Sequence, residues 1–414
     1  MSLTIILLLF SLVQSSLSED VYPVVLIPGD GGSQVEAKLN KTSVVHYICS
    51  KTSDWFPLWL NLELMVPEVI DCWADNIKLL YDSKTRTTRN NDGVNIRIPG
   101  FGTSASVEYL DTSERGFSVY FAEMVKRLLT LGYKRDVNIF GAPYDFRKAP
   151  NELGSFFTDY KNLIEKAYST NKNIKVIIIC HSMGCPITLY FFNQQTQEWK
   201  DKYIRSFISL AGVWAGTMRA MKVFSMGDNL GSWILNSKSL MVEQRTSPSL
   251  AWLMPSSDYW HPNETLVSTG KINLTVSDFK EFYYAFNELD SYEMWKDVRD
   301  INKGLKAPQV DTYCLHGTKV DTTSKLIYPP GTWPMGDPVL RTGDGDGTVN
   351  LRSLMACNKW SKEQNKPLHH HVFPRIDHLT ILRDPGVVNY TTDILKTLNS
   401  ELDLFSDVKI TVVP

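Results

Sequence analysis

A serine stands at the centre of Cys180-His181-Ser182-Met183-Gly184-Cys185. These residues follow the apolar, β-branched run 174–179 and precede the amphipathic stretch 186–195. Strand, sharp turn with a central serine, then helix is the context of a nucleophile elbow, whose strain holds the hydroxyl clear of the sheet. So tight a turn needs small residues two before and two after the serine; Gly184 meets that need and Cys180 nearly does. An acid and a base follow in the order this arrangement uses. Asp346 lies in the glycine-rich turn 342–349, after the strand-like stretch 310–315, and His378 lies in the loop after the strand-like stretch 370–373. Each alone has an ordinary reading, as a turn aspartate and as a surface or helix-start histidine, since Asp and Gly dominate turns. In this order they predict a triad of Ser182, His378 and Asp346.

Acyl chemistry at such a serine needs two backbone N–H groups aimed at the developing oxyanion. One is expected from Met183, the residue after the nucleophile, and the other from Asp30 in Gly29-Asp30-Gly31-Gly32. No Lys-Ser/Thr follows those glycines, which argues against a phosphate cradle. His181 adjoins the serine, but its side chain should point into the fold. Asp145 and Arg147 read as a structural ion pair. In a strand, neighbouring side chains alternate between faces, so His369, His370 and His371 cannot converge on one ion. No metal site and no cofactor are expected.

These groups need a scaffold. Tyr22–Ile27, 94–98, 137–140, 174–180 and 204–210 read as strands, and 117–131, 151–168 and the stretch after the elbow as helices. Alternating strands and helices imply a mostly parallel sheet with helices on both faces. The sites of such sheets lie at the strand carboxyl ends, where Asp30, Ser182, Asp346 and His378 would meet. Two regions break the alternation. Residues 46–93 read as a surface subdomain, and residues 216–305, with Trp233, Trp252, Trp260 and Trp295, as a cap. The core is then 19–45, 94–215 and 306–414. Within the first region, Trp55, Phe56, Trp59, Leu60, Leu62 and Leu64 are unusually apolar for a surface segment. Aromatics with leucines suit binding at a membrane interface; a helix packed into the core is the other reading.

The chain has 414 residues and a net charge of −2, which gives no electrostatic case for nucleic acid. Thr4–Val13 followed by small residues reads as a secretory signal over residues 1–18. No other stretch reaches the roughly 20 apolar residues of a membrane span. Sequons at Asn40, Asn263, Asn273 and Asn389 fit a secretory route. Six cysteines permit disulfides there. Cys49–Cys72 and Cys314–Cys357 are expected bridges. Cys180 and Cys185 flank the serine, look hard to join across the elbow, and are expected as free, packed thiols.

The chain resembles the lecithin:cholesterol acyltransferase family, and within it the lysosomal branch, from about Val21 to the C-terminus. The resemblance is carried by Pro28-Gly29-Asp30, residues 39–47 and 59–64, Ile70-Asp71-Cys72-Trp73, residues 99–102, 141–145, His181-Ser182-Met183-Gly184, 199–205 and 343–350. It implies an α/β-hydrolase core, a membrane-binding subdomain closed by a disulfide, and a lid-bearing cap. Its triad falls on Ser182, Asp346 and His378, and its oxyanion donors on the backbone of Asp30 and Met183. It implies calcium-independent release of an acyl chain from a glycerophospholipid donor at a membrane surface, then transfer to water or to a lipid alcohol such as ceramide. It further implies delivery to the lysosomal lumen or secretion; a monomer is expected. Cys180 and Phe146 depart from the family's usual residues, Cys185 departs from the lysosomal branch but matches the plasma branch, and residues 222–245 match the family weakly. A plasma-type phosphatidylcholine–sterol acyltransferase and a non-catalytic lipid-binding protein on the same scaffold are the rival readings.

Overall fold

Six strands, all but the last largely buried, form one parallel sheet: β1 (Val24–Ile27), β2 (Ile139–Gly141), β3 (Val176–His181), β4 (Ile204–Leu210), β5 (Thr312–Thr318) and β6 (Leu368–Pro374). Their order across the sheet is β6-β5-β4-β3-β1-β2, and every adjacent pair is parallel. The structure is a computed structural model describing residues 20–67, 69–111, 113, 116–228 and 237–410. The signal segment 1–18 and part of the lid stretch 222–245 therefore lie outside the described residues.

The central strands are continuous apolar runs because helices cover both faces, so no alternation survives. All four residues of β1 and all six of β3 are buried. The covering helices include Ala122–Leu129, Gly154–Thr170, Gly184–Asn193 and Pro385–Ile410. The first two fall inside the stretches expected to be helical, apart from two residues at the end of the second. This is the expected α/β-hydrolase class.

One expected strand belongs elsewhere. Val94–Arg97 pairs antiparallel with Val35–Leu39, which pairs antiparallel with Phe56–Trp59, in a separate three-stranded sheet. The apolar segment from Phe56 to Trp59 is thus a strand rather than a helix. This small sheet draws on both sides of the boundaries drawn at 45/46 and 93/94. Cys49–Cys72 ties the adjoining loop to the helix Ile70–Ile77.

Arg147 fastens this region to the core. It is fully buried. It grips the Asp145 carboxylate through Nε and Nη2 at 2.9 and 2.7 Å. Its remaining donors go to the Ile77 carbonyl at 2.7 Å and to Asn90 Oδ1 at 2.9 Å. The expected structural ion pair is therefore a four-bond rivet, the arrangement a buried guanidinium requires.

Candidate active site

The carboxyl ends of β1, β3, β5 and β6 bring the sequence-predicted groups together. Ser182 follows β3 with φ at 54°, in the left-handed region. A non-glycine residue there carries strain, which persists only where its surroundings impose it. The Leu210 carbonyl receives its N–H at 3.0 Å. Gly184 opens the next helix, and a Cβ there would lie 2.3 Å from the Pro28 carbonyl oxygen. Only glycine lets the elbow seat so close to the end of β1.

His378 bridges the serine and the acid. Its Nε2 lies 2.8 Å from Ser182 Oγ, and its Nδ1 lies 2.7 Å from Asp346 Oδ2. The carboxylate can only accept, so Nδ1 carries the proton and Nε2 receives the serine O–H. Asp346 is fully buried, and its other oxygen accepts the N–H groups of Thr348 and Val349 at 3.1 and 2.7 Å. The His378 N–H donates to the Asp346 carbonyl at 2.8 Å, which ties the two loops together.

Met183 follows the serine in sequence, and Asp30 lines the cavity into which the serine opens. Among the described residues, neither backbone N–H is taken up by a protein acceptor. At Gly29 a Cβ would stand 2.5 Å from Ser182 Cβ. The loop after β1 is thus pressed against the nucleophile.

The serine opens into a cavity of about 540 Å³ with mostly apolar walls, among them Trp59, Leu60, Phe146, Leu250 and Leu253. This corrects part of the surface reading of residues 55–64. Trp59 and Leu60 are only 7% and 8% exposed. Trp59 donates its indole N–H to the Gly31 carbonyl at 2.8 Å. Leu62 lines the same cavity and, like Phe56 and Leu64, is half-buried. Trp55 remains exposed, with Arg97 stacked over its ring. Tyr47 and Val45 are more exposed, at 88% and 56%.

Three acids share the cavity wall: Asp30, Asp228 and Glu243. Asp30 is solvent-exposed where it lines the cavity, and desolvation by the surrounding protein pushes its carboxyl up to about 7 against the opposing pull of Arg219. Glu243 is buried, and burial followed by repulsion from Asp30 pushes it up to about 8. Arg219 itself is held by Thr348 Oγ1 at 2.8 Å and Asp228 Oδ1 at 2.7 Å. None of these wall residues except Asp30 carries a sequence signal of its own.

The sequence reading of Cys180 and Cys185 as free thiols is overturned, because they form a disulfide. The elbow reverses the chain so sharply that their Cα atoms are 5.1 Å apart, well within bridging range. Cys49–Cys72 and Cys314–Cys357 pair as expected. Denatured, unreduced protein should therefore release no titratable thiol. Replacing both elbow cysteines by alanine should cost about 2 kcal/mol, the loop-closure entropy of so short a ring, read by denaturant unfolding. Two titratable thiols would restore the sequence expectation. The three consecutive histidines diverge: His369 stacks on Tyr313, His371 on Tyr390, and His370 Nε2 meets His316 Nε2 at 2.9 Å.

Comparison with known proteins places the whole chain. A sequence model described as lecithin:cholesterol acyltransferase matches residues 55–385. The human protein named lysosomal phospholipase A and acyltransferase is 41% identical over 374 residues, covering 90% of each chain. The chicken phosphatidylcholine-sterol acyltransferase is 41% identical over 362 residues, covering 87% of each chain. A chain from the solved Tle4–Tli4 complex superposes with a TM-score of 0.52 at 12% identity, covering 92% of this chain and 99% of that one, which speaks to fold alone. On the family match and on relatives of this identity along nearly its whole length, the chain belongs to the lecithin:cholesterol acyltransferase family.

Proposed function

We propose that the protein is a calcium-independent serine phospholipase A and O-acyltransferase. It moves a fatty acyl chain from a glycerophospholipid, through an acyl-Ser182 intermediate, to water or to a lipid alcohol. One observation carries this reading: an ordered Ser182–His378–Asp346 chain opens directly onto a large apolar cavity. His378 takes the Ser182 proton as the oxygen attacks the ester carbonyl, and Asp346 supports the imidazolium. The N–H groups of Asp30 and Met183 receive the oxyanion. His378 returns the proton to the departing lysophospholipid oxygen, then draws one from water or the acceptor hydroxyl. Apolar walls exclude water, which favours a lipid alcohol at the second step.

The exposed Trp55, Tyr47 and Val45 suit contact with the phospholipid surface, while Trp59, Leu60 and Leu62 serve the acyl chain inside. Residues 216–305 supply cavity walls, including Leu240, Leu250 and Leu253, and so act as the cap. Among the described residues no helix is long and apolar enough to cross a membrane. The four sequon asparagines are all exposed, which suits glycans in a lysosomal or secreted protein.

The test is to supply phosphatidylcholine liposomes containing either ceramide or cholesterol and to analyse the acylated products. Acyl-ceramide is the expected transfer product. Steryl ester in its place would favour the plasma-type reaction, and binding without any product would favour the non-catalytic reading.

Acidity should matter through Asp30. Its folded pKa, about 7, lies above the ordinary carboxylate value. The unfolded chain therefore releases this proton earlier, and Asp30 withdraws stability as pH rises from about 4 to about 7, with no further loss above. Ionised Asp30 also places a negative charge beside the cavity where the oxyanion forms. Turnover should fall as pH rises through about 7, and Asp30→Asn, which keeps the backbone donor, should flatten that fall. An unchanged pH profile in Asp30→Asn would remove Asp30 from the account.

A further inference from the structure

Beside the triad lies a buried hydrogen-bond chain that neither the sequence reading nor the acyl-transfer scheme uses. Tyr120 and His181 are 4% and 1% exposed. Tyr120 belongs to the segment before the helix Ala122–Leu129, and His181 is the last residue of β3. His181 Nε2 lies 2.8 Å from the backbone carbonyl oxygen of His378. Its Nδ1 meets the Tyr120 hydroxyl, and the Tyr120 oxygen lies 2.9 Å from the Gly29 nitrogen.

Proton directions along this chain are fixed. The His378 carbonyl only accepts, so His181 Nε2 carries a hydrogen and donates it. In a neutral ring Nδ1 is then an acceptor, so the Tyr120 O–H donates to it. The Tyr120 oxygen in turn accepts the Gly29 N–H. Every donor finds an acceptor in this one arrangement. A charged His181 would offer a second N–H to Tyr120 and leave the hydroxyl proton without an acceptor in a buried place. Burial and the neighbouring His378 both hold the His181 pKa well below its ordinary value, which keeps the ring neutral in acid.

The chain touches each part of the machinery, and its Tyr120 also lines the cavity. Gly29 precedes the oxyanion donor Asp30, His181 precedes the nucleophile, and the His378 carbonyl belongs to the base itself. The sequence makes room for it. At Gly32 a Cβ would lie 2.9 Å from Tyr120 Cζ, so only glycine admits the phenol ring. The Gly32 N–H closes the turn onto the Gly29 carbonyl at 3.0 Å.

We propose that Tyr120 and His181 are coupled positioning residues that lock the oxyanion loop, the nucleophile elbow and the His378 loop into one register. Neither takes part in proton transfer. The inference rests on the triad reading above, and the experiment separates the two.

Full-length Tyr120→Phe, His181→Phe, the double variant and Ser182→Ala are compared on a soluble p-nitrophenyl ester and by the rate of fluorophosphonate labelling. Circular dichroism and phosphatidylcholine-liposome binding check folding and lipid contact. Each single substitution should lower kcat and the labelling rate roughly 10- to 100-fold, the scale of a small misplacement of reacting groups. KM and liposome binding should stay at parent values. The double variant should be no slower than the slower single, because one broken link already releases the chain. His181→Gln, which restores a donor and an acceptor, should recover part of the loss. A folded Tyr120→Phe that labels at the parent rate, or losses that multiply in the double variant, would overturn the coupling. If His181→Phe does not fold, Tyr120→Phe and His181→Gln decide alone. Parent-level turnover by Ser182→Ala would instead overturn the triad reading and this inference with it.

Discussion

Ser182→Ala is expected to abolish fatty acid release from phosphatidylcholine liposomes, lowering turnover on the order of 10⁴–10⁶-fold. The hydroxyl is the one atom that forms the acyl-enzyme bond, and nothing near it can substitute. His181 is turned away into its own hydrogen bonds, and both flanking thiols are bound in a disulfide. The remaining rate would come from the Asp30 and Met183 donors and from binding alone. His378→Ala should cost as much, and a Ser182→Ala, His378→Ala double variant no more than either, since the two act as one unit. Asp346→Asn should cost on the order of 10⁴-fold, because an amide at that position can hold the imidazole in the wrong tautomer. Liposome binding should survive in all of them, because Trp55, Tyr47 and Val45 lie on the outside of the protein. Fatty acid release and fluorophosphonate labelling are the readouts. Parent-like release from Ser182→Ala would leave the proposed reaction without its nucleophile.

Much of this site was legible because the fold writes it locally. A fully buried strand run, a small residue at each side of a serine and a helix after it are all contiguous in sequence. The acid and base could be ordered because strand ends in a parallel sheet face one edge, so loops after β5 and β6 had to lie beside the elbow. What failed was whatever depended on the path of the chain between neighbours. Cys180 and Cys185 look separated along the strand-to-helix direction, yet the reversal at Ser182 brings them together. Val94–Arg97 has the composition of any strand, and nothing local says that its partner is the antiparallel Val35–Leu39. Trp59 and Leu60 show a different limit. An apolar side chain suits a membrane face and a lipid cavity equally well, and composition cannot tell one from the other. Tyr120 was invisible for a simpler reason: its hydroxyl gains its role only from Gly29 and His181, which come from distant parts of the chain.

Gly29→Ala should lower turnover by about 10²–10³-fold, the scale of losing one oxyanion donor. The conformation at this glycine is not the issue, because its φ is not in the left-handed region. The issue is space. A methyl group there would sit 2.5 Å from Ser182 Cβ and 3.1 Å from both Ser182 Oγ and the His181 carbonyl oxygen. Two of those atoms are fixed by the elbow backbone, and Oγ is the nucleophile itself, so no side-chain rotation relieves the clash. Either the elbow retreats from His378 or the loop carrying Asp30 lifts, and each motion breaks the alignment of nucleophile and oxyanion donor. Tyr120 resists the second motion by holding the Gly29 N–H, so a strain of overpacking, about 1–3 kcal/mol, should also appear in denaturant unfolding. Gly154→Ala is the control. It opens the helix Gly154–Thr170 with nothing within 4 Å of the added methyl, and should leave both turnover and stability near parent values. The loss in Gly29→Ala should fall on kcat and on fluorophosphonate labelling, with KM for a soluble ester little changed. Labelling at the parent rate by folded Gly29→Ala would mean that the loop after β1 can move away without cost, and Asp30 would then lose its standing as an oxyanion donor.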